Sequence, residues 1–150
     1  MSEKFSNGPV LPEKKLSQMT NEESVRAVEQ GLKPIADVSS KFETDLPFIE
    51  FEIPTLTLDI YGNKRVVTEV KLGKKYIYYR PDSQMKAYRL KQLLLKSTEG
   101  WLKLKPGDVV GSTKETESYH REFGELVGYS DEEIDEFIDR MRREGEIRKD

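Results

Sequence analysis

The sequence contains no cysteine and a single histidine, His120. Without cysteine the protein has no disulfide bond, thiol nucleophile, iron–sulfur cluster or cysteine-bound zinc. No apolar run approaches the ~20 residues that span a bilayer, and residues 1–6 lack the apolar stretch of a secretory signal. We therefore expect a soluble cytoplasmic protein with no membrane partner.

Positive charge is concentrated in the middle of the chain, although the net charge is only −3. Residues 64–105, called the basic block below, hold twelve Lys or Arg residues against three acidic residues. The flanking segments are acidic, with net charges of −5 over residues 1–63 and −7 over residues 106–150. Because the local field decides which partners a surface attracts, the basic block is the first candidate for a binding surface.

The composition predicts one domain with flexible ends. Residues 1–19 mix Ser, Pro, Lys and Glu with few apolar positions, which is typical of a flexible tail. Residues 20–146 are long enough to form a single domain with its own core, and residues 147–150 are expected to be a flexible C-terminus. Thr20 and Glu23 have the spacing of a capping box at the start of a helix.

Alternating apolar residues predict an antiparallel sheet after this first helix. The alternation runs from Phe48 to Ile60 but changes phase at Pro54, where we expect a bulge or a break. A tight hairpin turn through 61–64 leads to a second strand. Gly73 and Lys74 have the residue types of a second two-residue turn, which would begin a third strand. The pattern predicts a meander of three or four strands.

Helical signals dominate the rest of the chain. A long helix is expected from Asp82 or Ser83 to about Lys96, with an apolar stripe on one side. Capping boxes beginning at Ser112 and Ser130 predict a C-terminal helix pair. The sequence therefore predicts an α+β fold, with the sheet packed by the long helix and the C-terminal helix pair.

The basic block interleaves aromatic rings with cations, which is the composition of a surface that binds single-stranded nucleic acid. The rings would stack on bases and the cations would contact the backbone. An acidic protein is the other partner that such a surface attracts. The leading hypothesis is a non-catalytic binding protein, and the candidate binding residues are Lys74, Lys75, Tyr76, Tyr78, Arg80, Lys86, Arg89 and Lys96.

Two other functions stay open at this point. In the first alternative the acidic C-terminal helices pair with the basic long helix, and the chain is a structural or regulatory protein–protein module, with an exposed sheet edge as a route to oligomers. In the second, the chain is a small enzyme acting on a phosphorylated substrate through Arg80, Arg89 and His120. A hydrogen-bonded histidine at the edge of a helix's buried stripe is the simpler interpretation of His120.

No motif predicts a metal site or a cofactor. His120 has no second His or Cys beside it as a metal pair, and no glycine-rich loop precedes a helix for phosphate. The helix-pair spacing around Gly124 and Gly128 resembles a DNA-binding helix-turn-helix, but the second helix begins with carboxylates that phosphates would repel. We therefore assign this spacing to helix packing.

The segment from His120 to Ser130 carries a pattern of His-x-x-Phe-Gly-x-Leu-x-Gly-Tyr. This pattern, with the strand ending at Arg80 and the helix after it, resembles small uncharacterised archaeal and viral proteins. In those proteins proline usually follows the tyrosine and cysteines sometimes follow it. Here Ser130 follows and cysteines are absent, so a metal or redox role tied to those cysteines is not implied. The resemblance implies an archaeal or viral source more than it implies an activity.

Overall fold

The computed structural model describes residues 18–148 of the chain. Residues 1–17 of the predicted tail and residues 149–150 of the predicted flexible C-terminus lie outside the described residues. Arg148 is described, and it forms a backbone bridge with Thr116. The elements in chain order are α1 (Asn21–Glu29), β1 (Ile35–Val38), β2 (Phe48–Tyr61), β3 (Lys64–Tyr79), α2 (Gln84–Ser97), β4 (Val109–Val110), α3 (Glu117–Val127) and α4 (Asp131–Arg143), with short 3-10 helices at Pro81–Ser83 and Trp101–Lys103. The predicted α+β fold is confirmed.

The four described strands form one antiparallel sheet in which β3 is central. β2 pairs with β3 along its whole length, as the predicted hairpin requires. The opposite edge of β3 is shared by two short strands, with β1 beside Tyr76 to Tyr79 and β4 beside Arg65 and Val66. The first strand therefore lies beside the third, and within residues 18–148 no strand neighbours the stretch of β3 between β1 and β4 on that side.

The turn predicted at Gly73 and Lys74 is wrong, because β3 runs straight through both residues. Gly73 lies opposite Ile53 in the ladder, and the hydrogen bonds to β2 continue on either side of it. A glycine weakens a strand but does not end it when a partner strand holds the backbone extended. The predicted second and third strands are thus one strand of 16 residues.

Pro54 also lies within a continuous strand, and the irregularity in the ladder falls between Thr57 and Leu58 instead. Pro54 lies opposite Leu72 of β3. In β3 the backbone groups of odd-numbered residues, such as Tyr79, form the hydrogen bonds to β2. The backbone groups of the even-numbered Leu72 and of its partner Pro54 therefore point away from each other. The missing N–H of Pro54 therefore faces the outer edge of the sheet. A proline is tolerated there because the ladder loses no donor.

Helices and a loop cover both faces of the sheet near β1. On one face, side chains from α2 and α3 pack on alternate residues of the strands, including Ile49, Phe51 and Ile77. On the other face, α1 and the loop before β2 pack on Tyr76 and Tyr78. The helix stripe predicted for α2 is confirmed, since Ala87, Leu90 and Leu94 are its buried residues.

The C-terminal helices meet at a tight corner. Gly124 on α3 packs against Ile134 on α4 so closely that an added Cβ would lie 2.7 Å from Ile134 Cγ1. The predicted capping box at Ser130 and Glu133 is present. The predicted helix start at Ser112 is wrong, because α3 begins at Glu117 with Thr116 as its cap. Helix packing thus accounts for the glycine spacing.

Candidate functional site

Four of the predicted binding cations have partners within the protein. Lys75 Nζ lies 2.8 Å from Asp37 Oδ1, and Lys74 Nζ lies 2.9 Å from Glu50 Oε2. The Arg80 guanidinium donates to the Val28 carbonyl at 2.9 Å, at the C-terminal end of α1. Arg89 Nε lies 3.2 Å from Glu122 Oε2 on α3, which is an ion pair between the long helix and the C-terminal pair.

The other two predicted cations are exposed. Lys86 and Lys96 lie on α2, at its first and last turns. Neither forms an ion pair with any residue between 18 and 148. They are separated by almost the full length of the helix, so they do not converge on one ligand atom.

The two predicted stacking rings lie in the core. Tyr78 is 1% exposed, and its hydroxyl accepts a hydrogen bond from the Phe42 N–H at 2.8 Å. Tyr76 is 9% exposed, and both rings contact the ring of Phe48. A base cannot stack on either ring, because α1 and the loop before β2 already cover that face of the sheet.

The structure places an open edge on β3 at residues 68–75, whereas the sequence suggested an exposed sheet edge without indicating which residues form it. The Arg80 N–H bonds to Pro34 on the β1 side, whereas the neighbouring Tyr79 N–H bonds to Pro47 on the β2 side. Because these directions alternate along a strand, the backbone groups of Lys74, Leu72 and Val70 point to the β1 side. No backbone hydrogen bond within residues 18–148 reaches them there.

The open β3 edge is bounded at both ends and exposed between them. At one end β1 pairs as far as Tyr76, and at the other the Val67 N–H donates to the Asp108 carbonyl at 2.8 Å. Between these points Thr68, Glu69, Lys71, Leu72 and Lys74 are exposed. The edge therefore presents three N–H and three C=O groups in a gap of defined length, and these are groups that pair with another strand.

His120 lies in a different part of the molecule, between α3 and α4. Its ring is 5.2 Å from the ring of Phe137, and it contacts the edge of the Tyr119 ring. The hydrogen bond predicted for His120 is not seen at Nε2, which is buried and has no partner among the described residues. Arg80 and Arg89 have partners elsewhere, so the three residues of the predicted enzyme site do not line one cavity.

Sequence reasoning also missed a buried polar cluster beside β1. Lys33 is 6% exposed, and its Nζ donates to Ser24 Oγ at 2.8 Å. Burial lowers the pKa of Lys33 to about 8, although Asp37 and Glu133 act in the opposite direction. Burial also raises the pKa of Asp37 against the pull of Lys75. A lysine between a leucine and a proline carries no local signal of burial, so the sequence offered no means of finding it.

Comparison with protein-family models, with curated proteins and with solved structures returned no match for this chain. Between residues 18 and 148, no helix is both long and apolar enough to cross a membrane. The same residues bring no three His, Asp or Glu side chains together in an arrangement that could hold a metal ion. The geometry of the chain itself is therefore the basis for assigning a function.

Proposed function

We propose that this protein is a non-catalytic binding protein that takes up a short acidic segment of a partner protein along the open β3 edge. The observation that carries the proposal is the row of unpaired backbone groups at Val70, Leu72 and Lys74. An extended peptide added at a sheet edge gains main-chain hydrogen bonds, and side chains on alternate residues give it specificity.

The bounds of the open edge favour a short segment over a second copy of the chain. β3 has 16 residues, and its paired ends are occupied by β1 and β4. If two copies paired edge to edge, the β3 of one copy would meet the β3 of the other. The β1 and β4 strands beside the gap would then collide with their counterparts in the other copy. A segment of about five or six residues fits between β1 and β4 at ~3.3 Å per residue.

The charges along the edge favour an acidic occupant. Of the four charged residues between 68 and 75, Lys71, Lys74 and Lys75 are basic and Glu69 is acidic, but Lys74 and Lys75 are already paired with Glu50 and Asp37. Lys71 is exposed and forms no ion pair with any residue in the described range. Carboxylates on alternate positions of a bound strand would lie beside this lysine, within reach of a cross-strand pair.

An acidic protein segment suits this surface better than nucleic acid does. Sequence-tolerant binding of single strands combines cations with exposed rings on which bases stack. Tyr76 and Tyr78 are buried here, and Arg80 is directed to carbonyls of α1. The exposed lysines of α2 remain, so nucleic acid is an outcome that the experiment must be able to detect.

The test is binding of a short peptide of alternating Glu and Val, followed by amide chemical shifts in nuclear magnetic resonance spectra. We expect the shifts of Val70, Leu72 and Lys74 to move and their amide exchange to slow as hydrogen bonds form. Lys71→Glu should weaken binding about three- to ten-fold, as reversal of one exposed charge contact predicts. Lys96→Glu on α2 is the matched control and should leave binding unchanged.

Three results would contradict the proposal. The first is equal binding of a peptide with Lys in place of Glu, because charge would then play no part. The second is a set of shift changes confined to α2. The third is binding of oligothymidine that is weakened by Lys86→Glu and by Lys96→Glu but not by Lys71→Glu. That result would indicate that the protein binds nucleic acid through α2.

A further inference from the structure

A ring-lined pocket lies between α3 and α4, away from the open β3 edge. Its volume is about 310 Å³, close to the lower end of the ~300–1,000 Å³ that small-molecule sites occupy. This size suits one ring or two fused rings rather than a large cofactor. The pocket is lined by the rings of Tyr119, His120, Phe123, Tyr129 and Phe137. Rings in such an arrangement favour a flat ligand that packs face to face or face to edge.

His120 also lines the pocket, and one of its ring nitrogens has no partner among the described residues. His120 Nε2 is buried and makes no hydrogen bond to any residue between 18 and 148. Burial lowers the pKa of His120, and this effect exceeds the opposing influence of Glu115. The lowered pKa favours the neutral imidazole, which can accept a hydrogen bond at a ring nitrogen. Nε2 has almost no accessible surface, so it meets a bound ligand only when the imidazole turns toward the pocket.

The rim of the pocket carries a cation, Arg140, that pairs with no carboxylate of the described residues. The Arg140 guanidinium lies over the Phe137 ring, 5.4 Å from its centroid, and forms no ion pair within the described residues. By contrast, Arg121 and Arg142 pair with Glu117 and with acids of α4. A guanidinium that is exposed beside a ring-lined pocket is suited to holding a carboxylate or another small anion.

We propose that this pocket binds a small planar heteroaromatic anion. The rings of the pocket hold the ligand's flat face, the His120 ring turns so that Nε2 accepts a hydrogen bond from a ring N–H of the ligand, and Arg140 binds its anionic group. Glu115 also lines the pocket, so a ligand with one negative group suits it better than a polyanion. This inference is independent of the open β3 edge, because none of these residues belongs to the sheet.

The test compares three related probes by titration calorimetry. Indole-3-acetate has both the ring N–H and the carboxylate, indole-3-acetamide lacks the charge, and 1-methylindole-3-acetate lacks the N–H. We expect indole-3-acetate to bind about ten-fold or more tightly than the acetamide, because a charge-assisted hydrogen bond is lost. Methylation of the ring nitrogen should weaken binding in the same direction.

Variants assign each preference to its residue. Arg140→Ala should abolish the preference for the acetate over the acetamide, while Arg143→Ala, an exposed arginine in the last turn of the same helix, should keep it. His120→Phe preserves a ring at that position and should abolish the preference for N–H over N-methyl. Thermal melts of each variant establish that it is folded. Absence of saturable binding of indole-3-acetate, or preferences that survive in both variants, would overturn the proposal.

Discussion

Lys33 is a charged side chain held almost entirely away from water, at 6% exposure. Its ammonium has a hydrogen bond from Nζ to Ser24 Oγ, and the ring of Tyr129 lies 5.7 Å from Nζ. These contacts do not replace full hydration, and burial accordingly lowers the pKa of Lys33 to about 8. Below that pH the folded protein carries a buried charge that the unfolded chain holds in water.

The free-energy cost of burying the charged Lys33 predicts that the protein becomes more stable as the pH rises. Between a folded pKa of about 8 and an unfolded value of 10.5, the unfolded chain binds more protons than the folded one, so the free energy of unfolding rises with pH. We expect a gain of about 2 kcal/mol between roughly pH 7.5 and pH 9.5 in urea unfolding. The gain should be absent in Lys33→Met and present in the exposed control Lys96→Met. An unchanged slope in Lys33→Met would contradict the assignment.

Gly124 is the residue on which the helix corner depends. Replacing a helical glycine by alanine ordinarily stabilises a helix by about 1 kcal/mol. Here the added Cβ would lie 2.7 Å from Ile134 Cγ1, so we expect Gly124→Ala to lower the free energy of unfolding by about 1–3 kcal/mol instead. The Gly111→Ala control, where nothing lies within 4 Å of an added Cβ, should stay within about 0.5 kcal/mol.

A double-mutant cycle separates the contact from other effects at this corner. Ile134→Ala removes the atoms that the new Cβ would meet. The combined variant should therefore lose less stability than the sum of the two single variants, with a coupling of about 0.5–3 kcal/mol. Additive losses would mean that Gly124 is needed for a reason other than its contact with Ile134.

At the scale of elements, β3 combines a fully paired edge with a partly open one. Backbone N–H groups at odd positions such as Lys71 and Gly73 point to β2, and those at Val70, Leu72 and Lys74 point to the gap. We therefore expect amide hydrogen exchange in the free protein to alternate, fast at 70, 72 and 74 and slow at 71 and 73. Uniformly slow exchange across 70–74 would show that the gap is covered in solution.

At the scale of the whole molecule, opposite charges meet at the surface more than in the core. Arg89 on α2 and Glu122 on α3 form an ion pair, and their side chains are 69% and 38% exposed respectively. Lys74 and Glu50 are similarly accessible, and the pair of Lys75 and Asp37 is the better shielded one. Exposed pairs contribute ~0–1 kcal/mol each and are screened by salt.

The segregated charge of the sequence therefore has little to do with stability. We expect the free energy of unfolding at pH 7 to change by less than about 1 kcal/mol between roughly 0.1 M and 1 M NaCl. Urea unfolding at several salt concentrations measures this directly. A loss of several kcal/mol would instead mean that the acidic helices are held to α2 mainly by charge.

Features that depend on neighbouring residues were predictable from the sequence. The capping boxes at Thr20 and Ser130, and the hairpin turn through 61–64, involve groups within three residues of each other. The α+β class follows from the change of apolar period along the chain, and α2 buries the stripe that its spacing predicts. Local chemistry is sufficient in these cases because the interacting atoms are already close in the unfolded chain.

Other features were decided by contacts between residues far apart in sequence. Gly73 and Lys74 have the composition of a turn, but pairing with β2 keeps them extended. The alternation of Tyr76 to Tyr79 could not show that both faces of the strand are buried, because the faces are covered by separate elements, α1 far before the strand in the chain and α2 after it. The partners of Lys75 and Arg80, the burial of Lys33 and the gap between β1 and β4 likewise exist only after folding. The order of the amino acids determined which helices and strands can form. Tertiary packing decided which of their charges, rings and backbone groups remain available to a partner. The reason is that the burial of a residue depends on what packs over it and not on its neighbours in the sequence.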